Sequence, residues 1–264
     1  MNKIVWQVIS HMPKSTPGTL DNTMDALNMA LSKVKYQYKK QGKSYDESKI
    51  KILNYGCGKG EENIWLLTNS KCQLTMIDND EVLINDLDQK ITKYNLSDRC
   101  EIILDDNDFT SCNELPFSKN SFDIIWTEGA VRFKDFDIII KMFKKYLKPG
   151  GVIVISDYIL KDLNMPLELK RYFEQFYPEI NTIDNNIAIA ENNGLKVNAT
   201  FIVPDEAWWK YYLAPLREIT RELNIEYQMD PDKRKIIEEL TLDMTMRDKY
   251  KGYYDYAFYI LQKK

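Results

Sequence analysis

The stretch KILNYGCGKGEENIWLL, residues 51–67, begins with a short apolar run and continues into three alternating glycines and a helical pattern. This order predicts a strand, a tight loop and a helix in succession. Gly56, Gly58 and Gly60 let the backbone turn sharply and approach a ligand, because no Cβ atom intervenes. The free N–H groups at the start of the helix favour a polar ligand. The stretch therefore predicts a binding loop at the end of a strand.

The same alternation of strand and helix continues along the chain. Apolar runs of strand type occur at 51–55, 73–77, 100–104, 122–126 and 152–156, and helical patterns occur at about 61–69, 81–95 and 134–147. Strands separated by helices are typical of right-handed βαβ units and of a mostly parallel sheet with helices on both faces. The sequence thus predicts a doubly wound α/β fold, in which ligands bind at the carboxyl ends of the strands.

The second half of the chain carries helical additions to this pattern. A helical piece is expected at 157–181, a helix that Thr182 starts and Gly194 closes follows, and strands are expected at 195–203 and 253–262. The segment between these strands is helix-rich and aromatic, and no repeat or linker is visible. We expect a single domain over 1–264, with an N-terminal helical cap at 1–48, a core at 49–204 and 252–264, and a helical insert at 205–251 that covers the active site.

Composition excludes several classes of protein. The formal net charge of −4 and a pI near 5.3, with lysines scattered among acids, disfavour a nucleic-acid partner. The N-terminus is too short and polar for a signal peptide, and no apolar run reaches the roughly 18 residues of a membrane span. We expect a cytoplasmic protein.

A structural zinc site is also disfavoured. The four cysteines, Cys57, Cys72, Cys100 and Cys112, show no CxxC pairing, and His11 is the only histidine in the sequence. We expect buried or free thiols and no metal.

An acid at the end of the second strand indicates a ligand that contains a ribose. Asp78 follows Gly56 by 22 positions and ends the run LTMID, where a carboxylate can accept hydrogen bonds from ribose hydroxyls. The glycine spacing is G-x-G-x-G, one residue tighter than the dinucleotide fingerprint. A nicotinamide-dependent oxidoreductase is therefore the weaker alternative at this point, and a nonenzymatic cofactor-binding protein is another.

Together, the motifs ILNYGCGKG, IDND, LDDNDF, LPFSKNSFDIIW and LKPGGVIVIS resemble those of class I S-adenosylmethionine-dependent methyltransferases. Within that class, FDIIWTEGA, YPEINTIDNNIAIAENNGLKV and DKYKGYYDYAFYILQ look most similar to a small-molecule group related to the quinone-methylating type. The resemblance implies a Rossmann-like, seven-stranded sheet with helical cap elements. It also implies a methyltransferase that uses S-adenosylmethionine, yields S-adenosylhomocysteine and needs no metal.

The resemblance implies cofactor contacts at particular positions. Gly56, Cys57 and Gly58 would line the methionine part of the cofactor, and Gly60 would complete the loop. Asp78 would bind the ribose, Asn79 would lie beside the adenine, and Asp106 and Asn107 would bind the adenine edge. Thr127 and Glu128 would offer backbone oxygen to the ammonium. Asp105 and Asp108 are alternatives for the adenine role. Asn54 departs from the family, which usually has an acid there, and an amide loses the charge assistance of a carboxylate. Glu128 is a candidate to supply that charge.

Methyl transfer by direct in-line displacement needs positioning and exclusion of water more than a strong base. Three ionisable side chains are candidates for an acceptor-side base: Glu128 after the fourth strand, Asp157 after the fifth, and His11. WTEG stands where many amino- and base-methylating enzymes carry D/N-P-P-Y, which favours a small-molecule acceptor over nucleic acid.

Aromatic residues at the head of the insert are candidates for the acceptor pocket. Trp208, Trp209 and Tyr212 could form an apolar wall around the substrate, or they could pack beneath the cap. A Pro-Gly turn and a helix beginning near 19–22 could fold over the cofactor. The expected partner is a small-molecule acceptor, and the protein is expected to be a monomer or a homodimer.

Overall fold

The structure, a computed structural model, describes residues 3–105, 114–130 and 135–264. Its strands are β1 Lys51–Tyr55, β2 Gln73–Asp78, β3 Cys100–Leu104, β4 Phe122–Glu128, β5 Leu147–Leu160, β6 Asn181–Thr182, β7 Leu195–Ile202 and β8 Tyr254–Lys263. Its α-helices are α1 Lys3–His11, α2 Leu20–Lys40, α3 Glu61–Thr68, α4 Glu81–Lys93, α5 Phe136–Tyr146, α6 Leu167–Phe176, α7 Ile183–Asn192, α8 Asp205–Trp208, α9 Ala214–Glu226 and α10 Pro231–Tyr250. A π-helical turn, Trp209–Leu213, joins α8 to α9.

The strands form one sheet in the order β3-β2-β1-β4-β5-β8-β7. The first five strands of this path pair in parallel, and β8 pairs antiparallel with both β5 and β7. The short β6 pairs with β5 outside the path. The predicted doubly wound, mostly parallel sheet is confirmed. Since parallel strands end at a common edge, the residues after β1, β2 and β4 come together there.

Apolar side chains cover both faces of the sheet. One face packs against α5 and α7, through residues such as Phe143 and Ala190. The other face packs against α2, α3 and α4 and continues into the helices between β7 and β8, with Leu27 and Leu87 among its fully buried members. The helical additions therefore share a core with the sheet.

Capping side chains set the helix starts that the sequence indicated. The Thr19 hydroxyl accepts a hydrogen bond from the Asn22 backbone N–H and completes a capping box at the start of α2. Asp80 accepts hydrogen bonds from the backbone N–H groups of Val82 and Leu83 at the start of α4. The predicted starts of α2 and α4 are confirmed.

Two regions differ from the sequence-based expectation. The pattern gave no helix at 3–11, where the structure has α1. The fifth strand was expected to end at 156, but β5 continues to Leu160, because β8 pairs with it as far as Tyr254. Asp157 therefore lies inside a strand, opposite Ala257, and not after it. The helical piece expected at 157–181 is reduced to α6.

The glycine loop owes its shape to close packing. Gly56 has φ +68°, and a Cβ atom there would lie 2.2 Å from the Cβ of Ala130. Gly60 has φ +83°, and a Cβ there would lie 2.2 Å from Cδ1 of the buried Leu87. The absence of a side chain at these two positions lets the loop pack closely against Ala130 and Leu87.

We predict that Gly60→Ala destabilises the protein more than Gly42→Ala. Gly42 also has a positive φ, +68°, but nothing lies within 4 Å of its Cβ position. Both changes should cost about 1–2 kcal/mol of backbone strain. Only the change at Gly60 adds overpacking of about 1–3 kcal/mol. Urea unfolding of both variants measures the difference, and equal losses would contradict the packing explanation.

Candidate active site

A pocket of about 470 Å³ opens at the carboxyl edge of the sheet. Gly56, Asp78 and Glu128, from the ends of β1, β2 and β4, line one side of it. The other side is formed by residues of α1, α6, the π-helical turn, α9 and α10. The predicted loop glycine and two predicted acids thus share one pocket with the N-terminal helix and with the helices between β7 and β8.

Asp78 is bonded to the glycine loop that it faces. Its carboxylate accepts hydrogen bonds from the backbone N–H of Gly58 at 2.8 Å and from that of Asp80 at 3.1 Å. Burial raises the pKa of Asp78, although these backbone hydrogen bonds act in the opposite direction. A Cβ at Gly58, φ +52°, would meet nothing within 4 Å. The loop therefore leaves room for a ligand beside Gly58 while the carboxylate is held in place.

Asn54 is buried behind the loop, with 3% of the residue exposed. Its Nδ2 donates to Oδ1 of Asn63 at 2.6 Å, and Nδ2 of Asn63 donates to the carbonyl of Cys57 at 3.2 Å. The Oδ1 atom of Asn54 is buried and has no hydrogen-bond partner in the described part of the chain. Because a buried acceptor without a partner is costly, this atom fits a donor supplied by a ligand.

Glu128 is buried in a network of three donors. Its carboxylate accepts from Lys14 Nζ at 2.6 Å, from the Thr23 hydroxyl at 3.1 Å and from the Trp126 indole N–H at 3.0 Å. Burial raises the pKa of Glu128, and the Lys14 ammonium acts in the opposite direction. Three donors, one of them a cation, already occupy this carboxylate.

Two buried lysines tie the N-terminal segment to the sheet, and the sequence patterns did not identify either. The Lys14 side chain is 0% exposed and also reaches Glu62 at 3.1 Å. Burial disfavours its charge, but Glu128 and Glu62 raise the pKa of Lys14 above its usual range. Lys59, inside the glycine loop, donates to the backbone carbonyl of Met12. Lys14 and Glu128 are 114 positions apart, so no local pattern could reveal the pair.

A second carboxylate, that of the half-buried Asp243 on α10, lines the pocket and was also missed by sequence reasoning. The hydroxyls of Tyr158, Tyr172 and Tyr212 all donate to it, that of Tyr158 at 3.0 Å. Burial first, and the Asp243 charge second, raise the pKa of each tyrosine well above its usual range. The three hydroxyls therefore stay protonated and donate to one carboxylate.

Of the three aromatic residues expected to bind substrate, Tyr212 alone is among the described pocket residues. Trp208 is 1% exposed, donates to Asp255 at 3.1 Å and lies under the Arg247 guanidinium at 4.1 Å. Trp209 is 44% exposed on the outer surface. Trp208 therefore packs beneath the cap. Neither tryptophan is among the described residues of the pocket wall, and substrate binding by Trp208 and Trp209 stays a prediction.

His11 and Asp157 are not brought into the site. His11 is exposed at the end of α1, and its Nδ1 contacts the carbonyl of Gln7 at 2.8 Å. Asp157 lies within β5, and its carboxylate accepts from the Tyr158 backbone N–H at 2.8 Å. Neither belongs to the described pocket wall, so the structure gives no support to a base at these two positions.

The remaining predicted cofactor residues fall into different environments. Cys57 and Thr127 are buried, and burial raises the pKa of the Cys57 thiol. Asn79 is exposed, and Asp105 is buried at the end of β3. Asp106, Asn107, Asp108 and Cys112 lie outside the described residues.

Within 3–105, 114–130 and 135–264, no three histidine, cysteine or acidic side chains come together as a possible metal site. None of the helices in these same ranges has the length and apolar character needed to cross a membrane.

Comparison with protein families gives a match over most of the chain. The methyltransferase domain family matches residues 46–213, from just before β1 to the π-helical turn. The chain belongs to this family. The class I S-adenosylmethionine-dependent methyltransferase domain that the resemblance of the sequence motifs implied is thereby confirmed.

Curated relatives match this domain over part of their length. The chain is 27% identical over 111 residues to a 27-O-demethylrifamycin SV methyltransferase of Amycolatopsis mediterranei, a match covering 42% of this chain and 39% of that protein. It is 24% identical over 145 residues to a phosphoethanolamine N-methyltransferase of Triticum aestivum, covering 54% of this chain and 27% of that protein. The matches thus span well under half of these relatives.

A solved structure is similar over the whole chain. The methyltransferase from Thiobacillus denitrificans, crystallised with S-adenosylhomocysteine, has a TM-score of 0.78 at 15% sequence identity. The match covers 100% of this chain and 99% of that one. At this identity the similarity establishes the fold, including the helices before β1 and between β7 and β8.

We predict that Lys14→Met destabilises the protein by about 3–5 kcal/mol, because it leaves Glu128 buried without its cation. A buried carboxyl without a cation has a raised pKa, so folding is favoured while it is protonated and disfavoured as pH rises through that pKa. The loss should therefore be larger at pH 8 than at pH 5. Urea unfolding at both pH values measures it.

The matched control is Lys49→Met, which removes an exposed ion pair with Asp46 at 3.6 Å. Surface pairs contribute about 0–1 kcal/mol, so this variant should resemble the wild type at both pH values. A Lys14→Met penalty as small as the control's would mean that the buried pair does not hold the N-terminal segment.

Proposed function

We propose that this protein binds S-adenosylmethionine along the glycine loop and transfers its methyl group to a small-molecule acceptor held under the cap. The observation that carries the proposal is the single pocket that joins Gly56, Asp78 and Glu128 to Tyr212 and Asp243. Its volume, about 470 Å³, lies in the range of about 300–1,000 Å³ typical of small-ligand pockets.

The residues present fit the donor. Asp78 would accept hydrogen bonds from the ribose hydroxyls, and the open space at Gly58 would receive the methionine part. The free Oδ1 of Asn54, together with backbone oxygens near Thr127 and Glu128, would accept from the ammonium. The donor, when bound, supplies an electrophilic methyl group on a positively charged sulfur.

The residues of the chain would position the reacting groups and exclude water from them. Met12, Val8 and Leu216 place apolar side chains around the pocket, which favours exclusion of water from the reacting groups. We propose that Glu128 acts as the anchor for Lys14 and not as a base. The acceptor-side carboxylate in this proposal is Asp243.

The domain assignment enters the proposal as well. We propose that 1–48 and 205–251 form a cap over a core of 49–204 and 252–264, in a cytoplasmic small-molecule methyltransferase related to the quinone-methylating type. The sequence motifs support the subgroup, and the net charge of −4 supports the absence of a nucleic-acid partner. The relatives methylate oxygen in one case and nitrogen in another, by their names, so they do not fix the acceptor atom.

Calorimetric titration with S-adenosylhomocysteine and with NAD tests the donor assignment against the oxidoreductase alternative. We expect binding of S-adenosylhomocysteine and none of NAD. Asp78→Ala should weaken S-adenosylhomocysteine binding by about 1.5–3 kcal/mol for each charged hydrogen bond lost. Asp80→Ala, which removes the neighbouring helix cap, is the control and should lower stability by about 1 kcal/mol with little change in affinity. Unchanged affinity in Asp78→Ala would place the ribose elsewhere.

Asn54→Asp tests the position that departs from the family. We expect the variant to be less stable than the wild type, because a carboxylate would be buried opposite Oδ1 of Asn63 without a cation. The cofactor's ammonium would compensate that charge, so S-adenosylhomocysteine should raise the melting temperature of Asn54→Asp more than that of the wild type. An equal or smaller rise would show that the ammonium does not lie beside Asn54.

A further inference from the structure

The side of the pocket formed by α6, the π-helical turn, α9 and α10 carries acidic and aromatic side chains. Among its described residues, α10 contributes the carboxylates Glu239 and Asp243, one helical turn apart. Tyr172 and Tyr212 also line it, and both direct their hydroxyl protons at Asp243. Toward a ligand these two hydroxyls therefore present oxygen lone pairs.

The Asp243 carboxylate retains capacity for one more donor. An ionised carboxylate has about four acceptor positions. Three are occupied by the hydroxyls of Tyr158, Tyr172 and Tyr212. These partners are neutral, so they solvate the negative charge without cancelling it. A ligand that brings both a proton donor and a positive charge would complete the site.

Cationic side chains are absent from the described part of the pocket wall, which contains no lysine or arginine. Lys14 and Lys59 lie nearby, but both are buried and paired with acids, Lys14 with Glu128 and Lys59 with Glu61 at 3.2 Å. Nothing described in the wall would balance a phosphate or carboxylate on the acceptor.

Aromatic rings from α6 and the residue after it line the same side of the pocket. Tyr172, Phe176 and Tyr177 line the pocket, with ring centroids 5.3 Å apart for Tyr172 and Phe176 and 5.8 Å apart for Tyr172 and Tyr177. Aromatic faces attract cations within about 6 Å of the ring centroid. Rings and carboxylates on one wall favour the same kind of ligand.

We propose that the acceptor is an amine without a phosphate or carboxylate group, whose nitrogen is bound by Asp243 and Glu239 against the aromatic rings. This inference rests on the proposed function, since it names the substrate class of the same pocket. It favours such an amine over an anionic acceptor, such as a phosphate ester of an amino alcohol, and it assigns the methyl group to nitrogen.

The proposed transfer balances in atoms and electrons. The protonated amine first gives up one proton to water. The nitrogen lone pair then forms the new N–C bond while the S–C bond breaks, and its electron pair stays on sulfur. The products are the N-methylated amine and S-adenosylhomocysteine, and no oxidant or reductant is needed.

Calorimetry with three probes of similar shape tests this selectivity, in the absence and presence of saturating S-adenosylhomocysteine. The probes are benzylamine, which is protonated at neutral pH, benzyl alcohol and benzoate. We expect the cation to bind at least about tenfold more tightly than either of the others. Equal binding of the cation and the alcohol, or tighter binding of benzoate, would overturn the proposal.

Paired variants identify the carboxylate that binds the cation. Asp243→Asn and Glu239→Gln should each weaken binding of the cation, by about tenfold for Asp243→Asn, and leave benzyl alcohol unaffected. The controls are Asp248→Asn and Glu238→Gln, exposed acids on the same helix that pair with Arg217 and Arg234 outside the pocket. Equal cation affinity in Asp243→Asn and Asp248→Asn would reject Asp243 as the binding group.

S-adenosylhomocysteine affinity distinguishes a failure of the proposed function from a failure of the amine proposal. It should be unchanged in all four variants, which also shows that they are folded. A wild type that binds the cation selectively and does not bind S-adenosylhomocysteine would refute the proposed function and leave the selectivity of the cap intact. A wild type that binds S-adenosylhomocysteine without cation selectivity would refute the amine alone.

Discussion

The buried ion pair between Lys14 and Glu128 is the interaction on which the architecture of the site depends. It joins the N-terminal segment to the end of β4, the strand at the centre of the binding edge. Removing two charges from water is costly, and the pair is tolerated because Thr16, Thr23 and Trp126 complete its hydrogen bonds. With this pair formed, α1 lies over the pocket as one of its walls.

A buried arginine fixes the helices between β7 and β8, as Lys14 fixes the N-terminal segment. Arg247 is buried, donates to the Tyr254 carbonyl at 2.7 Å and to Asp255 at 3.2 Å, and stacks on Trp208. These contacts fix α8 and α10 to the first residues of β8. Different side chains of α10 therefore anchor the helix and line the pocket: Arg247 contacts β8 and Trp208, and Asp243, four positions earlier, lines the pocket.

The sequence predicted what depends on local pattern and missed what depends on distant contacts. Strand and helix order and the glycine loop follow from periodicity and from residue types such as Gly56, so they were read correctly. The extension of β5 depends on pairing with β8, about a hundred positions away, and the burial of Lys14 depends on Glu128. Trp208 and Tyr212 are one helical turn apart, and the sequence alone could not separate the anchor from the pocket residue.

The carboxylates of Glu128 and Asp243 line opposite sides of the pocket, and they differ in the charge of their hydrogen-bond partners. Glu128 is bonded to an ammonium, so the field of its charge is largely cancelled before it reaches a ligand. Asp243 is bonded to three neutral hydroxyls, which stabilise the carboxylate but leave its charge in place. A positively charged donor and a basic acceptor would repel each other in a shared pocket unless one of them met a negative group that is not already paired. In the proposed function, Asp243 lies on the acceptor side and provides that group.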